Sequence, residues 1–214
     1  MHRTKTGEFL MELARYGKSD EVFSYLAGFL CHYALDSTAH PLVYQLQKDK
    51  GYMHMAIEHR LDVIELERQG KQFRDIMQFF SPFPNLSEIR KVMNKVYGWD
   101  DDYYRIGYEH TKAFFWIVKD QRGILDFLLS WTNSKFAALS YRTHLCDDMD
   151  LSEFDELEHN AVDMTSKLIK AAYNYRIGQI DEESLETIIG NRSYAGEDAD
   201  VEDAVIDDMI EMNM

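Results

Sequence analysis

Only three prolines, at positions 41, 82 and 84, interrupt the 214 residues, and glycines number eleven. Long stretches therefore run without a residue that breaks a helix. No dense Val, Ile or Thr runs alternate with polar residues, so strands have little support. The sequence reads as all-α, a bundle of many helices. At 45% hydrophobic, it can bury a substantial core, and its length fits one domain or a domain with a tail.

The apolar spacing predicts a first helix over 6–16, with Phe9, Leu10 and Leu13 inward and Gly17 as its stop. Ser19 suits the N-cap of a second helix, with Asp20 and Glu21 in its first turn. That helix is expected to end at His40, because Pro41 disfavours helical geometry in the residue before it. Residues 41–52 then read as a connection. The second helix is apolar nearly all round (Val22, Phe23, Leu26, Phe29, Leu30, Ala34 and Leu35), which marks it as central. His32 and Asp36 are therefore expected in the interior.

A third helix is predicted over about 53–69, and shorter ones over 71–80 and 86–97, parted by the SPFPN stretch at 81–85. Long helices are expected at about 101–119, 122–142 and 152–178, with a short one at 181–189. The helical domain is expected to span 1–190. Residues 191–214 read as an acidic, mobile tail.

The net charge is −15, and residues 195–214 hold eight acids with no Lys or Arg. The remainder still carries 30 acids against 23 bases. That balance disfavours a broad grip on nucleic acid or an anionic membrane, so stable nucleic-acid binding is not expected. A phosphate substrate stays compatible, since bound metal ions reverse the field locally. The two cysteines, Cys31 and Cys146, form neither a CxxC pair nor a disulfide framework. With no signal-peptide pattern and no apolar run long enough for a membrane span, a cytoplasmic product is expected.

Five possible metal ligands stand out: His32, Asp36 and His40, then His54 and Glu58. Neighbours within each set are four residues apart, which stacks them on one helical face. A lone His-x-x-x-Asp is commonly just a hydrogen-bonded pair. Here a second such pair occurs on the next helix, and three imidazoles with two carboxylates match the preference of zinc. Bland alternatives stand beside this: His40 could cap a helix end, and Glu58 could pair with Arg60 or Arg68. Asp62 continues the His54/Glu58 stripe and suits an outer carboxylate that orients a ligand imidazole. His59 lies off that stripe and is expected to face solvent. His110, His144 and His159 sit in ordinary polar contexts. The chain has no HExxH, no His-Asp dipeptide and only one ExxH pair, Glu156 with His159.

YLAGFLCHYALDSTAHPLVY at 25–44 and HMAIEHRLD at 54–62 resemble the zinc-dependent phospholipase C family, related in fold to the P1/S1 nucleases. The likeness is sharp over about residues 1–65. It implies a helical bundle with zinc between central helices, up to three ions in the family and one or two here. His32, Asp36, His40, His54 and Glu58 would be ligands. The opening HRTKTGEFLMEL resembles the segment where relatives carry a further zinc-ligating His, which here is His2. On this basis His2 and His32 would hold one ion and His40, His54 and Glu58 another. Asp36 would bridge two ions and act as the catalytic carboxylate.

Two departures from the family are visible. The spacing from Asp36 to His40 is shorter than in secreted members, and Pro41 comes after the His instead of before it, which suggests a cytoplasmic bacterial branch. Relatives also carry an upstream region with another His and an Asp, so the domain is expected to be incomplete at its N-terminus. The implied activity is hydrolysis of a phospholipid-like phosphodiester. A non-catalytic zinc-stabilised helical domain and a P1/S1-type nuclease remain as alternatives. A nuclease would favour aromatic stacking platforms; Tyr33, Tyr44 and Tyr52 are available but suit core or rim.

Overall fold

In the computed structural model, described over residues 6–51, 53–71, 87–118, 124, 127–128, 149 and 152–191, seven helices and no strands occur among the described residues. They are α1 (Thr6–Tyr16), α2 (Asp20–Lys50), α3 (His54–Arg68), α4 (Ser87–Tyr97), α5 (Asp101–Val118), α6 (Ser152–Arg176) and α7 (Glu182–Ile189). The all-α expectation holds. The helices expected at 71–80 and 122–142, the tail beyond residue 191 and His2 lie outside the described residues or nearly so.

The described helices agree with their expected spans, with one large exception. α2 does not end at His40 but continues through Pro41 to Lys50. An interior proline costs about 3 kcal/mol through its missing N–H and its clash with the preceding turn. The continuation offsets that cost. It carries Val43 to 1% exposure, and burying a valine is worth roughly 1.5–3 kcal/mol. Just upstream, the Ser37 hydroxyl donates to the Tyr33 carbonyl at 2.6 Å and the Thr38 hydroxyl to the Ala34 carbonyl at 2.7 Å. These bonds add side-chain links along the turn before the proline. Gly51 then ends the helix at φ +70°, with its N–H on the Gln47 carbonyl at 3.1 Å. A side chain resists that left-handed geometry.

The chain divides into two compact units, and the dividing point in α2 falls after Pro41. The first unit combines residues 1–41, 86–99 and 151–214. Within it α1 packs against α4, α6 and α7, and α6 and α7 pack on each other. Leu10 and Leu13 of α1, Leu26 and Leu30 of α2, and Leu185 of α7 are almost wholly buried. Ser19 caps α2, its hydroxyl accepting from the Val22 N–H at 3.2 Å. Arg176 of α6 reaches the Asp20 carboxylate at 2.6 Å and the Lys18 carbonyl at 3.0 Å.

The C-terminal end of this unit closes on its beginning. Gly7 N–H donates to the Asn191 side chain at 3.1 Å, and the Tyr33 hydroxyl donates to the Ile189 carbonyl at 3.4 Å. A Cβ at Gly7 would lie 2.2 Å from the Gly190 carbonyl oxygen. The second unit combines residues 42–85 and 100–150, and so takes the end of α2 together with α3 and α5.

This packing is testable at two positions. Gly7→Ala should cost about 1–3 kcal/mol through overpacking, read as a Tm lowered by roughly 2–10 °C; an unchanged Tm would contradict the close approach. The second position is Asp181, which caps α7 by accepting from the Ser184 N–H at 2.9 Å. Hydrogen bonding from Ser184 holds its carboxyl below the ordinary aspartate value. A depressed carboxyl stabilises the fold above its unfolded pKa and loses that effect as pH falls through its folded pKa. The Ser184 amide proton should therefore shift in NMR with a midpoint below that of a free aspartate.

Candidate metal centre

α2 and α3 are consecutive helices joined by residues 51–53, and the ligand candidates sit on both. The buried face of α2 is set by Val22, Leu26, Leu30, Tyr33 and Ser37. These positions fall within one arc at about 100° per residue. His40 lies on the same arc and is buried, with 8% exposure. His32 is offset by about 100° from its neighbour Tyr33. Its side chain is 47% exposed, and that of Asp36 is 15% exposed.

The expectation that both lie in the interior is therefore corrected for His32, which stands in solvent, while Asp36 sits at the rim. Leu35, one of the residues that make α2 apolar nearly all round, is also 49% exposed. His32 Nδ1 and Asp36 Oδ1 are 3.4 Å apart.

On α3, His54 Nε2 lies 3.0 Å from Glu58 Oε1, so Glu58 pairs with the histidine one turn before it. The Tyr44 ring stands against the His54 imidazole at 5.4 Å between centroids and a tilt of 41°. His40, His54 and Glu58 each offer a ligand atom, and these atoms all lie within 4.8 Å of one another.

The donor chemistry fits zinc. Two imidazoles and one carboxylate form a known three-ligand set that leaves a fourth position open. Zinc–ligand bonds of about 2.1 Å in a tetrahedron put ligand atoms about 3.4 Å apart. The observed separations, 3.0 Å for one pair and at most 4.8 Å for any, bracket that edge. Closing round an ion would need shifts of roughly an ångström, within reach of side-chain rotation. His40 is the buried member, and coordination is one way to satisfy the polar atoms of a buried imidazole.

The structure brings His40, His54 and Glu58 together and leaves His32 and Asp36 as a separate pair. Asp62, expected to act behind a ligand imidazole, is exposed. His59 is corrected in the opposite sense: in place of the solvent position expected for it, it is buried, with 6% exposure. The apolar arc of α3 runs through Ala56, one turn from His59, and that arc governs burial instead of the ligand stripe. Tyr44 does more than fill core or rim, since its ring faces a ligand candidate. The signal that marks it is the four-residue spacing 32, 36, 40, 44 along α2.

The profile of the family described as zinc dependent phospholipase C matches residues 1–117. The chain belongs to the zinc-dependent phospholipase C family. No curated protein and no solved structure matches it. The family match runs from α1 nearly to the end of α5 and so includes every ligand candidate. The family is zinc-dependent by name, and phospholipid is the substrate its name carries. No described helix is long and apolar enough to cross a membrane.

The centre can be tested by elemental analysis of protein purified without added metal. Wild type should retain at least one equivalent of zinc, and a His54→Ala, Glu58→Ala double variant should lose it. Unchanged metal content in the double variant would remove these residues from the centre.

Proposed function

We propose that the chain is a zinc-dependent phosphodiester hydrolase of the phospholipase C type. One zinc would be held by His40, His54 and Glu58 and a further one by His32 with His2, with Asp36 serving both. The observation that carries this reading is the convergence of the first three on one point, with ligand atoms within 4.8 Å, inside the segment matched by the family.

When bound, zinc polarises a phosphoryl oxygen, lowers the pKa of water toward neutrality and stabilises a departing alkoxide. The remaining work belongs to the side chains. His40, buried on α2, would anchor the centre against the core, while His54 and Glu58 are partly exposed and so leave the centre accessible to substrate. Asp36, at 15% exposure, retains enough access to offer both oxygens. In this role the Asp36 and His32 side chains separate from their mutual contact to hold an ion. In-line attack by water forms the new P–O bond as the bond to the glycerol oxygen breaks, and a proton from that water ends on the glycerol oxygen. The headgroup phosphate then leaves as the phosphomonoester and diacylglycerol as the alcohol.

The test uses p-nitrophenyl phosphorylcholine. Turnover should vanish with a chelator and return with added zinc. His54→Ala should cost more than the about 10–100-fold that loss of an outer partner brings. Zinc that raises the Tm without any turnover would instead indicate a metal-stabilised helical domain. Release of nucleotides from single-stranded DNA without lipid activity would favour the nuclease reading.

A further inference from the structure

We propose that Tyr44 is a positioning residue for the His54 imidazole. This rests on the reading that His40, His54 and Glu58 hold zinc, and adds what orients one of those ligands. His54 opens α3, and the residue before it, Met53, is extended at φ −78° and ψ 136° and gives no side-chain cap bond. The first turn is closed by the Met53 carbonyl, which accepts from the Ala56 and Ile57 N–H groups, so the backbone there is fixed but the imidazole is not thereby oriented. Its imidazole is also 28% exposed, so burial holds it only in part.

Two neighbours restrict it. Glu58, one turn along α3, meets Nε2 at 3.0 Å. Tyr44 meets the ring itself at 5.4 Å and 41°, within the about 4.5–7 Å over which aromatic rings attract in tilted arrangements. An ion that binds between His54 and Glu58 disrupts their mutual hydrogen bond. The aromatic contact does not use the imidazole nitrogens, so it persists when one of them turns to metal. Tyr44 lies one turn beyond His40 on the same helix, so the element that supplies the buried ligand also supplies the wall for the exposed one. Partners that orient a ligand imidazole govern metal affinity without touching the metal.

The experiment uses the full chain and two readouts. In the metal-free protein, NMR of the His54 ring protons reports the ring current of Tyr44. It should be kept in Tyr44→Phe and lost in Tyr44→Ala and Tyr44→Leu. Zinc affinity, measured by competition with a chromophoric chelator, should fall about tenfold in Tyr44→Ala and Tyr44→Leu and return to within about twofold of wild type in Tyr44→Phe. The leucine variant keeps bulk at the position, so a loss common to both variants is not a collapse around a void.

Wild-type affinity in the alanine and leucine variants would overturn the positioning role while leaving the zinc reading intact. A phenylalanine variant as weak as alanine would overturn it too, since the hydroxyl would then carry the effect. A wild-type protein that binds no zinc, or a His54→Ala variant that binds as well as wild type, would overturn the zinc reading and this role with it.

Discussion

The proposed centre depends on α2 remaining helical beyond Pro41. Tyr44 meets His54 only because a further turn of α2 follows His40. The proline is tolerated because the next turn of the helix is anchored by burial, as Val43 demonstrates. Gly51 then supplies the left-handed residue that ends α2 three residues before α3 begins. A helix that carries a proline is thus closed by a glycine.

Periodicity is sufficient where local preference and burial agree. α1 occupies its expected span, and its Phe9, Leu10 and Leu13 are all buried. α7 fills residues 182–189 of its expected span of 181–189, with Asp181 as its cap. Expectation and structure part where local rules and packing conflict. A proline usually ends a helix, and nothing local to residues 38–42 announces that burial further on outweighs it. Apolar residues all round α2 conceal which arc is innermost, so an interior place expected for His32 becomes one in solvent. His59 departs the other way, because its burial depends on its distance from Ala56 and not from the ligand stripe.

The residues matched by the family reach only to 117, yet α1 within that stretch is packed by helices that lie far beyond it. α6 and α7 both lie against α1, and Tyr33, beside His32 on α2, is tied to the Ile189 carbonyl. These later helices contribute no ligand to the group of His40, His54 and Glu58. Their part is to hold the α1 and α2 segments that precede it.

The bond from Gly7 to Asn191 joins residues 184 positions apart, whereas His40 and Glu58 stand on consecutive helices with a short link between them. Such a difference matters while the protein is being made. At about 5–20 residues per second, the last partner of α1 leaves the ribosome on the order of ten seconds to half a minute after α1 itself. Closing so large a loop is slow, while the link from α2 to α3 is only a few residues long. Residues 40, 54 and 58 therefore leave the ribosome well before the segment that completes the packing around α1.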